Sequence, residues 1–122
     1  MGKDQQKTAF ILEDDQDISS LLSIILKEKG LKVYNSETIS SAREVLEGIY
    51  PTIIFIDHRL PDGFGFEFLP ELRRMFPLSY IIAITANDTL ENKELSYLSG
   101  ADKYIEKPFQ FNKLNNLIRT AL

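Results

Sequence analysis

The chain has 122 residues, 43% hydrophobic and 26% charged, enough for one ordinary core and one domain with no room for a second. No cysteine and a single histidine exclude thiol nucleophiles, iron–sulfur clusters, thiolate zinc and multi-histidine metal sites, so the chemical equipment is carboxylate, hydroxyl, amine and phenol. A net charge of −4 is the wrong sign for a general nucleic-acid or anionic-membrane binder, and no signal core or bilayer-length apolar run occurs, which points to a cytoplasmic protein with no membrane contact.

Short apolar runs alternate with amphipathic stretches five times. The first strand is expected over Thr8–Leu12, after an N-terminal tail of residues 1–7. The first helix follows, with Ile18, Leu21, Leu22, Ile25 and Leu26 at helical spacing and Gly30 as its stop. A second strand over Leu31–Tyr34 leads to a second helix over Ser40–Glu47, in which Ser41 and Glu44 are spaced like a capping box. The third strand, Thr52–Asp57, and the fourth, Tyr80–Thr85, are apolar at consecutive positions, as central parallel strands covered on both faces require. Between them lies a helix around Phe66–Met75, where Pro70 predicts a late start or a kink. A fourth helix carries Leu90, Leu95 and Leu98 and closes at Gly100. A fifth strand, Lys103–Ile105, precedes a fifth helix with Phe111, Leu114, Leu117 and Ile118. Five βα units predict an α/β fold: a doubly wound, five-stranded parallel sheet with strand order 2-1-3-4-5.

Such sheets put functional groups at the carboxyl ends of their strands. Here those ends carry Glu13 and Asp14, Asp57, Thr85, and Lys107-Pro108. Carboxylates brought together repel and ask for a compensating cation, and hard oxygen donors select Mg²⁺ or a similar ion that keeps waters. Lys107 adds a positive charge that can hold an anion, and Thr85 a hydroxyl donor. A carboxylate nucleophile with these neighbours makes an acyl-phosphate site, because positioning and charge neutralisation dominate phosphoryl transfer.

These residues, in this order and at these intervals, resemble the response-regulator receiver domains, of which CheY is the type, over about Ala9 to Leu122. The resemblance rests on Phe-Ile-Leu-Glu13-Asp14-Asp15, Ile-Ile-Phe-Ile-Asp57-His-Arg-Leu-Pro61-Asp-Gly, Ile-Ala-Ile-Thr85-Ala86 and Gly100-Ala-Asp-Lys-Tyr104-Ile-Glu-Lys107-Pro108. It implies that residues 8–122 form a single receiver with no output domain within them. Asp57 is then the acceptor of a phosphoryl group from a sensor histidine kinase or a histidine phosphotransfer protein. Mg²⁺ would be held by Asp14, Asp57 and the backbone carbonyl of Arg59, with Glu13 acting through a metal-bound water. Lys107 would pair with a phosphoryl oxygen, and its bond to Pro108 would be cis. Thr85 and Tyr104 would form the switch that re-shapes the face of the fourth helix, fifth strand and fifth helix. Arg59 and Asn87, each two residues beyond a site residue, would tune hydrolysis. The chain would be a signalling switch and not a conventional enzyme, a monomer or a weak phosphorylation-dependent dimer, read by a protein partner or an output domain.

The sequence departs from the family near Asp57: Phe64 stands where many relatives have Asp or Ser, so the loop into the third helix is expected to carry a different turn. His58 follows Asp57 and is expected to point away from it, without a role. Three other readings fit less well. A flavodoxin-like cofactor binder needs a phosphate-cradling loop after the first strand, where this chain has Glu-Asp-Asp-Gln-Asp. A haloacid-dehalogenase-type phosphatase needs its nucleophile on the first strand. A degenerate receiver that only docks is disfavoured because each key group is present.

Overall fold

The computed structural model describes residues 6–86 and 89–122. Five strands, β1 (Thr8–Leu12), β2 (Lys32–Ser36), β3 (Ile53–Asp57), β6 (Tyr80–Thr85) and β7 (Lys103–Glu106), form a parallel sheet in the order β2-β1-β3-β6-β7. In terms of these five strands that is the expected order 2-1-3-4-5. β3 is buried at all five positions, as its continuous apolar run demands of a strand covered on both faces. Two further strands, β4 (Arg59–Leu60) and β5 (Gly63–Phe64), make a small antiparallel hairpin directly after Asp57.

The helices are α1 (Gln16–Glu28), α2 (Ile39–Val45), α3 (Gly65–Met75), α4 (Leu90–Ser99) and α5 (Phe111–Ala121). Side chains alternate across the sheet, so each strand feeds two separate cores. Phe10, Ile54 and Ile56 pack with α2 and α3 through Ala42, Leu69 and Leu72. Ile11, Ile53 and Phe55 pack with α1 and α5 through Leu22, Leu26, Leu114 and Ile118. α1 stops as expected: Gly30 adopts φ +87, which a residue with a side chain resists, and Gly30 and Leu31 donate to the carbonyls of Lys27 and Leu26.

Two local expectations are corrected. The expected capping box at Ser41 and Glu44 does not start α2; the helix begins two residues before Ser41, capped by Thr38, whose hydroxyl accepts the Ser41 N–H at 3.0 Å. The hydroxyl three residues before the donor wins because only there is the backbone extended, as a cap requires. The late start expected for α3 is absent: the helix begins at Gly65 and runs through Pro70 to Met75. The buried apolar face of Phe66, Phe68, Leu69 and Leu72 holds the helix together despite the donor that Pro70 lacks.

At the amino ends of β6 and β7, Arg73 gathers the chain. Its guanidinium donates to the Gly100 carbonyl at 2.8 and 3.0 Å, to the Ser79 carbonyl at 2.8 Å and to Asp102 at 2.7 Å, and reaches the carbonyls of Phe76 and Pro77. Asp102 in turn accepts the Ile81 N–H at 2.8 Å. Among the described residues no helix is long and apolar enough to cross a membrane.

Candidate functional site

The strand register brings the site together. Leu12 lies opposite Ile56, Asp57 opposite Ile84, and Thr85 opposite Glu106, so the carboxyl ends of β1, β3, β6 and β7 share one edge. The acidic triplet after β1 divides its tasks. Asp15 caps α1, its carboxylate accepting the N–H groups of Asp17 and Ile18 at 2.9 and 3.3 Å. Asp14 is exposed. Glu13 turns inward, where one carboxylate oxygen accepts the Asp15 N–H at 3.0 Å and the other lies 2.9 Å from Lys107 Nζ.

Lys107 also donates to Asp57 at 3.2 Å, and the side chains of Glu13, Asp57 and Lys107 are only 0%, 7% and 18% exposed. At such burial a charge imbalance is felt strongly. Burial pushes the Glu13 carboxyl up to about 7, with the charge of Asp57 adding to the shift and the Asp15 N–H and Lys107 opposing it. Burial works against the ammonium of Lys107, but the hydrogen bond to Glu13 and the charges of Asp57 and Glu13 outweigh it and raise its pKa. One lysine thus faces two buried carboxylates.

Glu13, Asp14 and Asp57 each offer a carboxylate oxygen, all within 4.8 Å of one another. This oxygen-only set, with no thiol and with surplus negative charge, fits a hard divalent cation that keeps part of its water shell. Thr85 is buried at the end of β6, and the Lys107 N–H donates to its carbonyl at 2.8 Å. Tyr104, on β7, is half-buried against the core of the α2 and α3 layer. The Lys107–Pro108 bond is cis. Arg59 is exposed on β4, and Asn87 lies outside the described residues.

The segment after Asp57 held what sequence reasoning missed. His58 is engaged: its N–H donates to Asp57 at 2.8 Å, its Nδ1 accepts the Phe66 N–H at 3.3 Å, and its ring stacks on Phe66 at 4.1 Å between centroids. Burial lowers its pKa, with the Arg59 charge adding to the effect, in keeping with an imidazole that must accept at Nδ1. Gly65 donates to the His58 carbonyl at 2.6 Å, and a Cβ on Gly65 would fall 1.9 Å from the Asp57 carbonyl oxygen, so no other residue fits there. Of the three nearby phenylalanines, Phe66 and Phe68 are core, whereas Phe64 is half exposed and borders the His58 ring.

Comparison with known proteins agrees with this geometry. Residues 9–119 match the family model of the response regulator receiver domain. The chain is 35% identical over 115 residues to the KDP operon transcriptional regulatory protein KdpE of Escherichia coli, covering 93% of this chain and 50% of KdpE. It is 29% identical to a solved CheY-like response regulator receiver domain protein of Methanospirillum hungatei, with a TM-score of 0.87 and 95% and 93% of the two chains covered. A two-component response regulator of Clostridium difficile, 22% identical, shares the fold with a TM-score of 0.89 over 95% of each chain. The chain spans about half or less of the length of curated relatives such as KdpE and the response regulator protein PilR of Pseudomonas aeruginosa.

Proposed function

The chain belongs to the response regulator receiver domain family, and from that premise we propose that Asp57 is the phosphoryl acceptor of a signalling switch driven by a histidine kinase or a histidine phosphotransfer protein. The observation that carries this reading is the buried convergence of Glu13, Asp57 and Lys107 at one strand edge, with Asp14 beside it.

An Asp57 carboxylate oxygen attacks the phosphorus of the donor phosphohistidine; the P–N bond breaks, the imidazole leaves, and an aspartyl phosphate forms. Mg²⁺, when bound, supplies Lewis-acid neutralisation of the charge gathered between acceptor and phosphoryl group. Asp14, Asp57 and the Arg59 carbonyl would hold it directly, and Glu13 through a water. Lys107, already 3.2 Å from Asp57, pairs with a phosphoryl oxygen. Thr85 donates its hydroxyl to another, and Tyr104 follows by turning its ring inward, shifting the face of α4, β7 and α5 between two populations. Attack by water on the phosphorus returns inorganic phosphate and the free carboxylate.

The face so altered would be read by a protein partner or by an output domain in a longer chain, with this chain a monomer or a weak phosphorylation-dependent dimer. It would act in the cytoplasm, with no contact of its own to nucleic acid or membrane. Incubation with a small phosphodonor and Mg²⁺ should add one phosphate to the intact protein and none to Asp57→Asn; equal labelling of the variant overturns the assignment. Arg59, exposed two residues past the acceptor, slows the approach of the hydrolytic water, with Asn87 as the proposed second tuning residue. Arg59→Ala should shorten the phosphoryl lifetime, and equal lifetimes remove this role.

A further inference from the structure

The hairpin after Asp57 is tied down at both ends, and the tie at its tip comes from a residue with no part in the chemistry. At the base, His58 and Gly65 close the loop through the 2.6 Å Gly65 N–H to His58 carbonyl bond, and the His58 ring receives the Phe66 N–H. At the tip, the two carboxylate oxygens of Asp62 accept the N–H groups of Ile39 and Ser40 at 2.9 and 3.0 Å. These are the first two residues of α2, a separate element more than twenty residues away in the chain. With Thr38 accepting the N–H of Ser41, and its own backbone carbonyl accepting that of Ala42 at 3.0 Å, the first turn of α2 leaves no donor unmet. The grip is close because Gly63 has no side chain: a Cβ there would stand 3.1 Å from Ile39 Cδ1.

Between base and tip runs Arg59, paired across the hairpin with Phe64. The N-cap of α3, Phe64, makes no side-chain cap bond; His58 meets the first two N–H groups of the helix instead, and the hairpin tip leans on α2 through Asp62. We infer that Asp62 is a positioning residue for the metal site: by clamping the hairpin tip to the start of α2, it fixes the segment that presents the Arg59 carbonyl. This rests on the proposed receiver reading. Groups that orient a metal ligand without touching the metal commonly change affinity by about 10-fold or more when removed.

The test is Mg²⁺ binding by isothermal titration calorimetry in the absence of any phosphodonor, on the native chain, Asp62→Ala, Asp62→Asn and Thr38→Ala. Thr38→Ala removes a hydrogen bond from the same first turn of α2 without touching the hairpin, so it reports what loss of helix stability alone does to the metal site. Asp62→Ala should weaken Mg²⁺ about 10-fold. Asp62→Asn, which keeps one acceptor oxygen, should fall between Asp62→Ala and native, and Thr38→Ala should stay near native. A variant Asp62→Ala that binds like the native chain, or a Thr38→Ala that loses as much, overturns the positioning role and leaves the receiver reading intact. A native chain that binds no Mg²⁺ overturns both.

Discussion

Charged side chains gather at both edges of the sheet, and the two gatherings are built on opposite principles. At the amino-end edge a single cation, Arg73, meets four carbonyls and the Asp102 carboxylate, all of which gain from its presence. At the carboxyl-end edge a single cation, Lys107, is set against Glu13, Asp57 and the nearby Asp14, with Glu13 wholly buried and pushed up to about 7. The first is a cluster with its partners in balance, which fixes the loops before β6 and β7 to the end of α3. The second has a surplus of negative charge that only a ligand or a proton relieves. Charge count against burial separates a structural network from an acidic group that could hold a cation.

The sharpest challenge to this contrast lies next to the acidic edge. Gly65→Ala forces a methyl group into the Asp57 carbonyl, and overpacking of backbone at this distance should cost about 3 kcal/mol in urea unfolding. It should also abolish phosphoryl uptake. At the other edge, Arg73→Ala strips a half-buried guanidinium from its acceptors and should cost about 2 kcal/mol, while the Mg²⁺ isotherm of the folded variant stays native. If Arg73→Ala weakened Mg²⁺ as well, the two edges would not be separable.

Ligand addition should act on the acidic edge alone. At a Mg²⁺ concentration ten times its dissociation constant, stability should rise by about 1.4 kcal/mol, read as a higher melting temperature. Asp57→Asn should abolish most of that gain and raise metal-free stability by about 1 kcal/mol through relief of repulsion. A variant that melts well below the native chain without Mg²⁺ would show that Lys107 already balances the cluster.

The acidic edge should also show itself in pH. Because Glu13 titrates near 7 in the fold against 4.5 when unfolded, the native state keeps a proton that the unfolded chain has released between those values. The contribution is full below 4.5 and lost as pH climbs through about 7. His58, lowered by burial, acts in the opposite sense, so native and Glu13→Gln must be compared. The native chain should lose stability relative to Glu13→Gln across this window, and saturating Mg²⁺, which favours the ionised carboxylate, should flatten the difference.

What the sequence made legible follows from how far each signal reaches along the chain. Runs such as Ile53–Ile56 carry their burial in themselves, so the order of elements, the sheet and the residues at its carboxyl edge could be read directly. The hairpin of Arg59–Leu60 and Gly63–Phe64 could not, because two-residue strands have no period and their support comes from α2 through Asp62. The start of α2 is hidden for the same reason: hydroxyls at Thr38 and Ser41 look alike until the backbone angle and Asp62 choose between them. His58 does point away from Asp57, as strand alternation expects, onto Phe66 in the core of Ile54 and Ile56; its bond to the Phe66 N–H is not legible, because that partner lies across a loop. Gly65 carries no signal in the sequence, and only the 1.9 Å approach explains why nothing larger fits.

The division of the interior into two cores has a consequence for what a change at Asp57 can reach. β3 places Ile54 and Ile56 in one core and Ile53 and Phe55 in the other, then ends at Asp57. An event at that residue stands at the seam of both helical layers and need not be relayed through the sheet to reach either. Under the proposed reading, a phosphoryl group on Asp57 would act beside both helical layers of one unchanged scaffold.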